Sequence, residues 1–467
     1  MFEEIIAGIS NALYSYILII LLVVGGLIFC FKTKFVQFRL FKEQIKAVTE
    51  KPKDGKGVSS FQALMVSTAS RVGTGNIIGV STALCLGGFG SVFWMWVIAI
   101  IGSASAFIES TLAQIYKKKN EDGTYSGGPA YYIQKGLKNK PLAIIFTILL
   151  IFTYGVGFNM LASYNLQSTF SSYSFYNPTT TPWIIGIILA VVCGYCLIGG
   201  GKRIISVTSF LVPFMGCAYI LASLVIVVIN FKMLPDVFRT IFTEAFDFQA
   251  IFGGFSGSCV MFGIKRGLFS NEAGVGSAPN ASASADVEHP VKQGLVQVLS
   301  VFIDTILVCS ASAFMCMCSG VEPSAKLSGA PYVQAALSET LGAFGPMFIT
   351  VAMILFAFTT LLGNIYYVDM AVIFLCKKQP KKWVMNVYHI IAALLIFVGA
   401  GLSADLLWNI ADIAMGGMTI INIPVIFILS KYAVAALKDY DKQRKQGTDP
   451  VFKAKNINLP HDVDCWK

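Results

Sequence analysis

Charge is scarce in this chain. Only 13% of its 467 residues are Asp, Glu, Lys or Arg and three are histidine, against 55% hydrophobic residues. A mean hydropathy of +0.70 excludes the two or three soluble domains that the length alone would suggest. The composition is that of an all-α polytopic membrane protein. No Gly-Lys-Ser/Thr completes the glycine cluster at Gly73, Gly75 and Gly79, and the cluster sits between apolar runs rather than after a strand. That excludes a phosphate-binding loop, and no other ATPase motif is present. The cysteines are scattered; Cys193 and Cys196 form a CxxC, and Cys316 and Cys318 sit close together. Neither pair has a second cluster or a neighbouring histidine to complete a metal site, so they are expected to be small packing residues. The first apolar segment follows MFEE rather than a basic stretch and lacks a small-residue cleavage site, which predicts a retained span, not a signal peptide.

What the chain does have is apolar length. About 20 residues cross the hydrocarbon core of a bilayer, and eleven such stretches lie near 12–31, 60–84, 91–116, 142–166, 183–200, 204–230, 250–284, 290–319, 345–375, 384–402 and 406–430. All are predicted helical. A polar tail after Lys431, with Pro450 and Pro460, is expected outside the membrane. Of the 35 Lys and Arg, Lys232, Arg239 and Lys326 fall on one face and Arg71, Lys265 and Arg266 inside spans, leaving 29 on the opposite face. By the positive-inside rule the C-terminus is then cytoplasmic and the N-terminus outside, in a plasma (inner) membrane. Topology and anionic lipid account for the net charge of +10, with no nucleic-acid partner.

An internal repeat runs at a fixed offset. Arg71, Asn76 and Gly79 of RVGTGNIIG recur 195 residues later as Arg266, Asn271 and Gly274 of RGLFSNEAG, and FIES at 107–110 becomes FIDT at 302–305. The copies begin five spans apart, an odd number, so the second must lie inverted, which is a mark of many secondary transporters. The expected organisation is an extra N-terminal helix and basic connection (1–59), a first five-helix repeat (60–249), a second, inverted one (250–430) and a cytoplasmic tail (431–467).

Three glycines within seven residues predict a broken helix at RVGTGNIIGV, since each costs about 1 kcal/mol relative to alanine. Freed backbone groups in a membrane are tolerated only where they face protein, water or a ligand. The N–H groups at the start of the next half-helix suit a carboxylate, and released carbonyls with the oxygens of Thr74 and Asn76 suit a hard cation such as Na⁺. Without an ATPase motif the energy must come from an ion or solute gradient. One Na⁺ entering down roughly 100 mV supplies about 2.3 kcal/mol, or on the order of fifty-fold accumulation. Arg71, Lys265, Arg266, Glu109, Glu272, Asp304, Asp369 and Asp412 lie in or near spans, where an unpaired charge is costly, so most are expected to pair with one another. Thr359 and Thr360 are adjacent hydroxyls in an apolar span, and helical Thr usually bonds its own backbone.

The stretches GTGNIIGV, GGPAYYI (127–133), KRGLFSNEAGVGSAP (265–279), FAFTTLLG and LWNIADIAMGGM (407–418) together resemble the alanine or glycine:cation symporter family, also called the sodium:alanine symporter family, from about residue 12 to 430. The resemblance implies a LeuT-type fold with one additional N-terminal helix, importing a small neutral amino acid with Na⁺ by alternating access. Carried over by motif, Gly73, Thr74, Gly75 and Asn76 would face the amino acid, Asn76 also a cation. Phe158, Phe262, Gly263 and Asn364 would complete the substrate site, and Thr359 and Thr360, with the carbonyl of Val72, would hold a second Na⁺. Two positions depart from the family pattern: Ala162 stands where relatives commonly have glutamine and Asn364 where they commonly have tryptophan, which should enlarge the side-chain pocket. No obligatory protein partner is implied.

Other readings differ in class. A symporter for serine or glutamine, or one coupled to H⁺, keeps the architecture. A passive channel would use the same small residues and polar midplane to line a pore, but paired breaks favour a gated carrier. An intramembrane serine protease is suggested by GFSGS, whose Ser256 needs a base within hydrogen-bond distance; His289 and His461 fall in cytoplasmic segments and His389 near the cytoplasmic end of its helix, away from it.

Overall fold

The computed structural model describes every residue except 1, 53–56, 255–256, 460–462 and 467. Helix α1 (Glu3–Thr33) is followed by the short amphipathic α2 (Phe41–Thr49). Helix α3 (Ser60–Arg71) opens on a reciprocal cap, in which the Gln62 N–H donates to Ser59 Oγ and the Ser59 N–H donates to Gln62 Oε1. After the non-helical Val72 and Gly73, helical geometry resumes at Thr74, and α4 (Gly75–Gly87) opens with a π-helical turn over Gly75–Gly79. Helix α5 (Ser91–Ile115) leads into a minimal antiparallel pair, β1 (Lys118–Lys119) and β2 (Tyr125–Ser126), then α6 (Pro129–Gly136). Asn139 caps α7 (Lys140–Ser172), which is followed by α8 (Thr181–Leu197), α9 (Gly200–Ile229) and the surface helix α10 (Leu234–Ala245). Helix α11 (Cys259–Asn271), capped by Ser258, stops well short of α12 (Pro279–Ser282). The chain closes with α13 (Pro290–Met317), α14 (Ala330–Leu341), α15 (Phe344–Cys376), α16 (Lys382–Gly399) and α17 (Ala404–Lys445).

Among the described residues eight helices are long and apolar enough to cross a membrane: α1, α5, α7, α9, α13, α15, α16 and α17. The stretches at 60–84 and 250–284 are each interrupted, and α8 is shorter than a full span. Helix α17 continues past residue 430 to Lys445. The short α2, α10 and α14 had no span-length apolar signal to announce them.

Helices α3 and α13 run side by side in the same direction, joined by polar side chains. Gln293 Nε2 donates to Ser60 Oγ (2.8 Å), Gln297 Nε2 to Ser67 Oγ (2.9 Å) and Arg71 Nη1 to Gln297 Oε1 (2.9 Å), and the Thr68 and Ser300 hydroxyls meet at 3.1 Å. Away from water such groups are stable only when paired across helices. Helix α13 is capped by His289, whose Nδ1 accepts from the Val291 N–H; its proton therefore sits on Nε2, facing Asp439 Oδ2 at 3.4 Å. Burial holds this imidazole below its ordinary pKa, in agreement with the neutral tautomer that the cap requires.

The polar tail is bound across the ends of α5, α6 and α13. Lys292 contacts Glu50 (2.8 Å) and Asp449 (3.1 Å), Lys135 pairs with Asp464 (2.7 Å), and the Phe452 N–H donates to the Glu288 carbonyl. Trp466 is buried, its indole N–H donating to the Gln114 carbonyl at 2.8 Å with the Lys117 ammonium over its ring. Replacing this one side chain should release the segment: in Trp466→Ala, trypsin is expected to cut at the exposed Lys453 and Lys455 several-fold faster than in the parent protein, and equal rates would show that the other contacts hold the tail alone.

Candidate functional site

The two interruptions come together at the centre of the molecule. In the first, Val72 leaves helical geometry (φ −76°, ψ 88°), so its carbonyl turns out of the regular ladder, and the Gly73 N–H donates to Asn76 Oδ1 (2.8 Å) instead of to a backbone carbonyl. In the second, Glu272 adopts a left-handed conformation (φ 52°) and Gly274 and Gly276 follow at φ +87° and +91°, where only glycine is unstrained. This second break spans residues 272–278, not the region of Phe262 and Gly263.

A small cavity lies against the first break. Its polar wall is Ser70, Thr74 and Thr360 with the backbone of Gly73 and Gly75; its apolar wall is Phe158, Leu161, Ala162 and Phe269; Arg71 also lines it. Close approach explains two of the glycines. A Cβ on Gly73 would collide with Thr360 Oγ1, and one on Gly75 would lie 2.8 Å from the Phe269 ring. The apolar wall continues outward as an aromatic series, Phe158 to Phe269 (4.7 Å between centroids) and Phe269 to Trp408 (4.8 Å), over which the Arg266 guanidinium stacks (4.1 Å).

The predicted site residues divide. Val72, Gly73, Thr74, Gly75 and Thr360 gather at the first break, and Phe158 forms part of the opposite wall. The Thr360 hydroxyl is buried with no hydrogen-bond partner, whereas Thr359, one position earlier, bonds the carbonyls of Leu355 and Phe356 and faces Met215. Asn76 is turned from the cavity: its Nδ2 donates to Asp304 Oδ1 (2.7 Å) and Ser270 Oγ (3.0 Å). Asn364 does not line the cavity either. It stands behind Ser70, whose hydroxyl donates to its Oδ1 at 2.7 Å, and donates from Nδ2 to Asn159 Oδ1. Phe262 and Gly263 lie in the continuous part of α11, Gly263 pressed against Ser91 and Trp94 and Phe262 against Gly87. Phe269, two turns further along the same helix, takes the place expected of them. Sequence reading had not singled out Phe269, Leu161 or Ser70; the position of RGLFSNEAG beside the break was the available signal for Phe269.

The buried charges pair only in part. Asp412 joins Lys265 (2.9 Å) and Arg266 (3.5 Å), and Asp369 contacts His389 (3.0 Å). Arg71 instead bonds Gln297 and leaves Nε and Nη2 without a partner, and Glu272 accepts the Ser277 hydroxyl at 2.6 Å. Among the described residues no cluster of three His, Cys, Asp or Glu could hold a metal, and the cysteines are all free. Ser256 and His461 lie outside the described residues.

A profile described as the sodium:alanine symporter family matches residues 1–454. The chain is 44% identical to the amino-acid carrier protein AlsT of Bacillus subtilis over 100% of this chain and 98% of that one. It is 41% identical to the probable sodium/glutamine symporter GlnT of the same organism (99% and 96%), and 35% identical to the sodium/alanine symporter AgcS of Methanococcus maripaludis (95% and 98%). Among solved structures, MhsT in complex with L-phenylalanine superposes with a TM-score of 0.59 at 16% identity, covering 84% of this chain and 93% of that one, which shows a shared LeuT-type fold.

Proposed function

The chain belongs to the sodium:alanine symporter family, a family of membrane carriers and not of enzymes, and from that premise we propose that it imports a small neutral amino acid, of the alanine or glycine type, together with Na⁺. The observation that carries this reading is the cavity between the first break and the Phe158–Phe269 wall. Thr74 and the backbone of Gly75 present polar groups at the start of α4, where N–H dipoles favour a carboxylate, while the Gly73 N–H is taken by Asn76. The facing wall of Phe158, Leu161, Ala162 and Phe269 is apolar, which suits the side chain of a neutral amino acid. Thr360 Oγ1, buried and unpartnered beside Gly73, and the released carbonyl of Val72 are hard oxygen donors fit for Na⁺. Thr359, occupied by its own helix, is not a ligand in this reading.

Under the same proposal α3–α4 and α11–α12 are spans broken at the midplane, giving eleven spans with α8: an extra helix before two inverted five-helix repeats, with the C-terminus cytoplasmic in the plasma membrane. A glutamine or serine carrier is the second reading, favoured by the similarity to GlnT and by Ala162, which leaves the apolar wall short of a bulky side chain.

Uptake into proteoliposomes with and without a Na⁺ gradient, comparing alanine, glycine, serine and glutamine, tests both. Na⁺-stimulated uptake of alanine or glycine is expected; equal uptake without Na⁺ overturns the coupling. The two threonines sharpen it. Thr360→Val should raise the half-saturating Na⁺ concentration about tenfold or more, through loss of one ligand and burial of an unpaired site, while Thr359→Val should leave it within about twofold. The reverse order would place the ion on the other face of α15.

A further inference from the structure

The repeat carries a pair of carboxylates that the transport reading leaves unused. Glu109 and Asp304 occupy matching places in FIES and FIDT, both are fully buried, and among the described residues neither forms an ion pair with a cation. What each one holds is the break belonging to the other copy.

Asp304, in a π-helical stretch of α13, accepts from Asn76 Nδ2 at 2.7 Å, and Asn76 Oδ1 in turn accepts the Gly73 N–H at 2.8 Å. A carboxylate of the second copy thus reaches, through one amide, the N–H freed at the break of the first. The orientation of that amide is fixed from both ends, since only Nδ2 can donate to Asp304 and only Oδ1 can accept from Gly73. The other Asp304 oxygen accepts the hydroxyls of Ser270 and Thr305, each at 2.7 Å. Glu109, on α5 of the first copy, accepts the Gly274 N–H directly at 3.3 Å, in the break of the second copy. Its other oxygen accepts Asn422 Nδ2 (2.9 Å), which also donates to the Gly274 carbonyl (2.9 Å), so both backbone polar groups of Gly274 are held. The Tyr132 hydroxyl donates to Asn422 Oδ1 and sets this amide as well.

We propose that Asp304 and Glu109 are positioning residues, each keeping the break of the opposite copy unwound: Glu109 takes up a freed N–H directly, and Asp304 fixes the Asn76 amide that takes one up. A carboxyl group suits the task because its two oxygens can accept several hydrogen bonds at once, and an N–H left unpaired at this depth would otherwise drive the helix to close. The links are crossed but separate: a shift of α13 would loosen the first break through Asn76, and a shift of α5 would loosen the second at Gly274. The proposal rests on the reading of the first break as the transport site, and its test is independent of transport.

Hydrogen–deuterium exchange of the full chain in lipid nanodiscs reads the two breaks separately. Asp304→Asn, which turns one acceptor oxygen into an NH2 facing other donors, should raise exchange of segment 72–79 about tenfold or more and leave 272–278 near its parent value; Glu109→Gln should do the opposite. Equal loosening of both segments by either variant, loosening of the carboxylate's own copy, or no change at either break overturns the proposal. The exchanged pair Asn76→Asp with Asp304→Asn rebuilds the amide–carboxylate bond in reverse and should recover part of the protection lost at 72–79 in Asp304→Asn alone. If Asp304→Asn does not fold, Asn76→Ala cuts the same link from the other side while the carboxylate keeps its Ser270 and Thr305 partners; unchanged exchange at 72–79 then overturns the proposal. Wild-type Na⁺-stimulated uptake decides the transport reading by itself, whichever way the exchange result falls.

Discussion

Gly73→Ala is expected to reduce amino-acid uptake about a hundredfold or more while the protein still accumulates in the membrane. The added methyl is small, but its position is occupied: a Cβ there would collide with Thr360 Oγ1, the unpartnered hydroxyl at the cavity. Thr360 must then rotate away or α15 must part from the first break, and displacement of a binding group by about an ångström is enough to cost on the order of 10²-fold. Gly216→Ala is the matched control, because nothing lies within 4 Å of the methyl it would add to α9. Counting uptake per molecule of purified protein separates the two. Activity of Gly73→Ala within a few-fold of the parent would mean that the close approach of Thr360 to the break is dispensable, and the Na⁺ assignment would fall with it.

The second large effect concerns stability. Asp412→Asn should destabilise the fold by about 3–5 kcal/mol, seen as a markedly lower melting midpoint in detergent, because it strands Lys265 and Arg266 in the interior without a counter-charge. Helix α1 should feel this too, since Lys265 also donates to Ser10 and its ammonium lies over the Tyr14 ring. Removing a cation along with the anion should restore part of the loss, so Lys265→Met with Asp412→Asn is expected to melt above Asp412→Asn alone. If the double variant melts lower still, the pair is not the source of the effect.

The first break was legible in RVGTGN because glycines there outnumber any helix former, and the fold class followed from apolar length and scarce charge. The second break was legible in the repeat, which set RGLFSNEAG at its edge, whereas the site residues that the resemblance placed there, Phe262 and Gly263, lie too early along α11. A sequence does not distinguish a glycine needed for close packing, such as Gly263 against Ser91 and Trp94, from glycines needed for positive φ, such as Gly274 and Gly276. Thr359 and Thr360 illustrate a second limit. Neighbouring helical residues point about 100° apart, so one hydroxyl faces the break and the other its own helix, and only the rotation of α15 decides which. Asn364 exposes a third: it stands a layer back from the cavity behind Ser70, a displacement that no sequence pattern announces. The bound tail had signals in Phe452 and Trp466, aromatic residues in an otherwise polar stretch, which a search for spans passes over.

The Trp466 contact also fixes an order of events during synthesis. The Gln114 carbonyl that receives its indole N–H is made 352 residues earlier, and at about 5–20 residues per second a ribosome needs tens of seconds to reach the partner. All eight long apolar helices have emerged by then, yet the corner where α5 meets β1 is still uncovered. A nascent chain halted between Lys445 and Trp466 would therefore carry every long apolar helix and still leave the Gln114 carbonyl and the Lys117 side chain without their aromatic cover.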